Sequence, residues 1–70
     1  MRRKSVVSSN ISSIGYDPES RILEVEFNNG SIYHYYGVTE ALYNGLMSAT
    51  SHGSFLHQMI KDRFRYTRIR

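Results

Sequence analysis

Residues 21–38, RILEVEFNNGSIYHYYGV, leave little choice of local structure. Leu23, Val25 and Phe27 alternate with Glu24 and Glu26, the period-2 pattern of a strand with one face buried and one in water. Asn28-Asn29-Gly30 then supplies turn residues that tolerate a left-handed backbone. Ser31-Ile32-Tyr33-His34-Tyr35-Tyr36 forms the returning strand. The segment predicts a β-hairpin over 21–37.

Register decides which way its tyrosines face, because a slip of one residue inverts every assignment. A two-residue Asn29-Gly30 turn sets Phe27 opposite Ile32 and Val25 opposite His34. Tyr33 and Tyr35 then share the solvent face with the two glutamates. A three-residue loop with a glycine bulge sets Val25 opposite Tyr33 and Leu23 opposite Tyr35, leaving Ile32, His34 and Tyr36 outside. Burying His34 beside Val25 requires partners for both ring nitrogens, whereas a buried tyrosine has one hydroxyl to place. The second register is cheaper. It makes Tyr33 and Tyr35 mainly structural, and Tyr36 and His34 the exposed aromatic candidates.

A lone hairpin is at best marginally stable. The 8–16 segment, with Ile11, Ile14 and Tyr16, offers a third strand, joined through a turn at Asp17-Pro18-Glu19-Ser20. Thr39 suits the N-cap of a helix with Glu40 in its first turn. Leu42, Tyr43, Leu46 and Met47 share one face of that helix, and Gly45 within it permits close approach of another element. Thr50-Ser51-His52-Gly53 ends it. Ser54 is the expected cap of a second helix bearing Phe55, Leu56, Met59 and Ile60, with Phe64 and Tyr66 on an extended tail. The expected fold is a small α+β domain: an antiparallel sheet on the 21–37 hairpin packed against two short helices. Seventy residues hold one such domain, 1–70.

Charge is unevenly placed. Arg2, Arg3 and Lys4 open the chain, and Lys61, Arg63, Arg65, Arg68 and Arg70, against Asp62 alone, close it. Between them only Arg21 opposes Asp17, Glu19, Glu24, Glu26 and Glu40. The basic ends, 1–5 and 65–70, are either solvated tails or phosphate contacts. No apolar run approaches a membrane span, and the start is not followed by an apolar signal region. With no cysteine, the chain suits a reducing compartment. The expected location is the cytoplasm.

Chemistry is hard to find. A nucleophile needs a positioned base, and His34, His52 and His57 form no spaced constellation with the many serines. His52 and His57 lie five apart, which is not the helical spacing of a metal pair. Glu24 and Glu26 are expected to be the solvated side of an amphipathic strand. The chain has no phosphate-cradling glycine motif. No catalytic residue, metal or cofactor is expected. Ser51, Gly53 and Ser54 form the one candidate anion site, through backbone amides at a helix start. The alternative there is a plain turn, with Gly53 at positive φ and Ser54 as cap.

The series SSNISSIGYDPES, LEVEFNNGSIYHYYGV and SHGSF resembles the KTSC domain, over about residues 6 to 64. The Tyr-x-Tyr of that family is matched by Tyr33 and Tyr35. Its Ser-x-Gly-x-aromatic is matched by Ser51, Gly53 and Phe55. The chain departs from the pattern at Thr39, where proline is frequent, and at His57, where asparagine is common. The resemblance implies a small module found alone or at the C-terminus of some lysyl-tRNA synthetases. That company suggests RNA.

The expected function is a non-catalytic binding module with RNA as first partner. Arg2, Arg3, Lys4, Lys61, Arg63, Arg65, Arg68 and Arg70 would meet phosphates, and Tyr36 or Tyr66 would stack on bases. A protein-interaction module using an apolar or strand-edge surface is the alternative. An oligomer enclosing a small anionic ligand is a third.

Overall fold

Backbone hydrogen bonds at the hairpin tip decide the register. Phe27 N donates to Ser31 O at 2.9 Å, closing a three-residue loop, and Gly30 N donates back to Phe27 O at 2.9 Å. Gly30 sits at φ 91°, a backbone conformation open to glycine. Val25 therefore faces Tyr33, and Leu23 faces Tyr35. This is the cheaper of the two registers.

The computed structural model describes all residues, 1–70. Its elements are β1 (Arg3–Ser5), β2 (Ile11–Asp17), β3 (Ile22–Phe27), β4 (Ile32–Tyr36), α1 (Glu40–Ser48), α2 (His52–Phe55) and β5 (Tyr66–Arg68). α2 widens without a break into a π-helical turn, Leu56–Ile60, where Lys61 N bonds Leu56 O at 2.8 Å. The five strands form one antiparallel sheet in sequence order.

The expected three strands and two helices are present, and the sheet is larger than expected. The basic ends are its two edge strands. β1 pairs with β2, and β5 pairs with β4. A backbone bonded into a sheet cannot behave as a solvated tail.

The core lies on the helix side of the sheet. Ile14, Leu23, Val25, Leu46 and Ile60 have no measurable exposure, and Tyr35 retains 4%. Tyr16 fixes α1 on the sheet. Its ring stacks on Tyr43 at 4.7 Å, and its hydroxyl donates to the Val38 carbonyl. Thr39 caps α1, accepting from Leu42 N. Gly45 allows the approach expected of it: a Cβ there would stand 3.0 Å from the Phe55 ring.

Several local expectations need correction. The second helix begins earlier, at His52. Its cap is Ser51, whose hydroxyl accepts from Ser54 N. Gly53 is helical rather than at positive φ. Ile32 faces away from the helices yet is only 6% exposed. Residues 69 and 70 run beside it, with Ile69 N bonding Ile32 O at 2.7 Å, and Arg70 reaches past it to Glu26. Tyr36 is half-buried, its ring edge-on to His34 at 6.4 Å.

Candidate functional site

The helices cover only part of their side of the sheet. Beside β4 and β5 a groove of about 340 Å³ remains open. Phe27, Tyr33, Tyr35 and Tyr66 form its aromatic floor and lip. Gly53, Leu56, His57, Lys61 and Asp62 line one wall, and Asn10, Asn29 and Ser31 close the end near the hairpin loop. Strand pairing explains the tyrosine cluster. Tyr66 lies opposite Tyr35, and Arg68 opposite Tyr33, so all four side chains stand on one face. The Tyr66 ring centroid is 5.8 Å from that of Tyr33 and 6.0 Å from that of Tyr35.

Tyr35 is almost wholly enclosed, yet none of the side-chain hydrogen bonds in the chain involves its hydroxyl. No fully buried side-chain nitrogen or oxygen lacks a partner, so this hydroxyl must reach solvent, and the groove is its opening. Burial, then the neighbouring tyrosines, push its pKa up to about 12. Tyr35 thus presents a neutral O–H to the groove. The Asn10 carboxamide and the His57 imidazole also line the groove and have no hydrogen-bond partner in the chain.

Positive charge gathers on the rim. Lys61, Arg63, Arg65 and Arg68 join no ion pair, and all four are exposed. A shallower depression shares Asp62 and Tyr66 with the groove and adds Arg63, Phe64 and Arg65. The other cations are placed differently. Arg3 pairs with Glu24 at 2.5 Å, and Arg70 with Glu26 at 3.3 Å. Arg2 and Lys4 are exposed at the opposite edge of the sheet, in and beside β1.

The outer face carries a charge cluster in place of the expected solvated row. Glu24 binds Arg3 on one side and His34 Nε2, at 2.7 Å, on the other. Ser13 Oγ accepts from Arg3 Nε and donates to Glu26, both at 2.9 Å. Burial alone would raise the pKa of Glu24. The bonds from His34 and Arg3, with their charges, outweigh it and hold the carboxyl below the ordinary glutamate range. Each glutamate is committed to partners, and they are not a free carboxylate pair. No three His, Cys, Asp or Glu side chains gather as a metal site.

Ser51, Gly53 and Ser54 separate in role. The Ser51 hydroxyl is engaged as a cap, with Ser54 N as its donor. Gly53 belongs to the groove wall. Phe55, the last residue of that motif, packs against Gly45. The motif residues Tyr33, Tyr35 and Gly53 therefore meet at the groove, along with His57.

The sequence profile of the KTSC domain matches residues 7–64. This chain belongs to the KTSC domain family. A protein of Stutzerimonas stutzeri is 43% identical over 70 residues, covering 99% of each chain. A lysine–tRNA ligase of Nostoc sp. is 36% identical over 59 residues, which are 84% of this chain and 10% of the ligase. The crystal structure of a KTSC domain protein from Yersinia pestis superposes with a TM-score of 0.93 at 44% identity, covering 99% of this chain and 97% of that one. No helix of this KTSC protein is long and apolar enough to cross a membrane.

Proposed function

We propose that this KTSC protein is a non-catalytic, cytoplasmic module that binds single-stranded RNA along β5 and the groove beside it. One observation carries the reading: four cations free of ion pairs, Lys61, Arg63, Arg65 and Arg68, border a cluster of tyrosines that ends in an exposed ring, Tyr66, 57% accessible. Unpaired guanidinium and ammonium groups beside stacking rings suit a strand of phosphates and splayed bases. The glutamates lie on the other face, tied to Arg3, His34 and Arg70, so they do not repel a backbone tracking the groove side. A similar segment within lysine–tRNA ligases lends support by association. The lack of cysteine suits the reducing cytoplasm.

The phosphate set is narrower than charge counting alone implies. Arg3 and Arg70 hold the sheet together, and Arg2 and Lys4 stand at the far edge. Three or four contacts imply a slope of log K against log[salt] of about −2 to −3 for a single strand, at ~0.7 per contact. The test is titration of an octamer of uridine at several salt concentrations. Arg65→Gln with Arg68→Gln should weaken binding and flatten the slope, with the thermal midpoint retained. Failure to bind at low salt, or binding unaffected by these changes, would refute the proposal and favour the protein-interaction alternative.

A further inference from the structure

We infer that the groove takes one unstacked nucleobase, held against the tyrosine cluster and contacted by the Tyr35 hydroxyl at its floor. The inference rests on the RNA reading and assigns the groove a part distinct from that of the cationic rim.

Three observations converge. The first is charge. The only ionisable pair of opposite sign on the groove wall is Lys61 beside Asp62, and the remaining cations lie outside. The interior is therefore suited to a neutral, flat group, while phosphates belong to the rim. The second is the unpartnered hydroxyl. Tyr35 is 96% enclosed, by its 4% exposure; it lines the groove, and its O–H has no partner in the chain. Such a group needs water or a ligand atom. As a neutral hydroxyl it can donate to a carbonyl oxygen or a ring nitrogen on the edge of a base. The third is shape and surface. About 340 Å³ lies at the small end of ligand pockets, which span roughly 300–1,000 Å³. Tyr66 stands at the lip, where a ring can stack on an entering base. The free Asn10 carboxamide offers both a donor and an acceptor to the edge of that base.

The experiment compares two RNA octamers: all uridine, and uridine with abasic ribose at every second position. Tyr35→Phe removes only the hydroxyl, and Tyr66→Ala removes the lip. Wild-type protein should bind the uridine octamer more tightly than the abasic one. Tyr35→Phe should weaken uridine binding about three- to tenfold, the scale of one hydrogen bond, and leave the salt slope unchanged. Tyr66→Ala should weaken uridine binding by about tenfold or more, the scale of a stacked base, again at constant slope. In a nitrogen–proton correlation spectrum, the uridine octamer should shift the Gly53 amide and the Asn10 side-chain amide. If Tyr35→Phe binds uridine as wild type does and the abasic octamer binds equally well, no base enters the groove. The inference is then overturned, while dependence on Arg65 and Arg68 would keep the RNA reading intact. If no octamer binds, both fall together.

Discussion

Arg3 and Glu24 meet across an intervening strand because Gly15, which lies between them, has no side chain. Arg3 is paired with Gly15, and Gly15 with Glu24, in one row across β1, β2 and β3. A Cβ on Gly15 would stand 3.0 Å from both the Arg2 carbonyl oxygen and Arg3 Cγ. The bare strand is a channel through which the guanidinium reaches its partner. An edge strand of only three residues is thereby anchored by a side chain as well as by its backbone.

Gly15→Ala tests that anchor. One of the obstructing atoms belongs to the backbone, so the clash is not relieved by a side-chain rotation. The substitution should cost about 1–3 kcal/mol, the range for overpacking a tight site. Chemical denaturation checks the magnitude, and amide exchange should quicken in β1 before it does in β3.

Acid should loosen the same anchor. The folded Glu24 carboxyl titrates below the ordinary range, so its contribution is complete above the unfolded value of about 4.3. It is lost as the pH falls through the lower, folded value. The thermal midpoint of the wild type should fall between about pH 5 and pH 3 more steeply than that of Glu24→Gln, which should be less stable near neutrality. Asp17, held low by the Ser20 hydroxyl, leaves a residual slope of the same sign in the variant. Parallel profiles for the two proteins would contradict the account.

Tyr35 should separate packing from hydrogen bonding. Its ring is in the core, so Tyr35→Ala should cost about 3–5 kcal/mol. Its hydroxyl has no partner in the chain, so Tyr35→Phe should fall within about 1 kcal/mol of wild type. Urea unfolding of both variants gives the comparison.

Leu46 of α1 and Ile60 of the π-helical turn are both fully enclosed. Each change to Ala should cost about 2–5 kcal/mol. A near-neutral result for either would mean that its helix is not held on the sheet by that contact.

The hairpin, its register and the inner face of α1 were legible because each rests on a local rule: alternation, turn chemistry or helical spacing. Of the stripe expected on the second helix, Leu56 and Ile60 are buried, but Met59, on the π-helical turn, is 42% exposed. The resemblance in Tyr-x-Tyr and Ser-x-Gly also pointed to the right family. The edge strands were missed for a physical reason. Three-residue strands carry too little alternation to stand out, and Arg3-Lys4-Ser5 looks like any charged terminus. Tyr66 and Arg68, two apart on one face, were the available signal for β5. The outer glutamates look solvated in the sequence, because nothing local shows that Arg3 will cross a glycine from the far side of β2. The groove was the least legible feature. Its parts, from Asn10 through Tyr35 to Lys61, come together only when β5 returns beside β4.

The sheet follows the order of the chain, and that order has a kinetic consequence. β1 to β4 are joined by short connections, so their pairings form by closing small loops, the inexpensive kind in entropy. The β4–β5 seam is different. It must wait until residues 37–65 have folded into α1, α2 and the turn that follows. The groove spans this seam, so it should form last in folding and open first in partial unfolding. The expected signature is amide exchange in Tyr66–Arg68 faster than in β3 and slowed by an RNA strand that bridges the two sides.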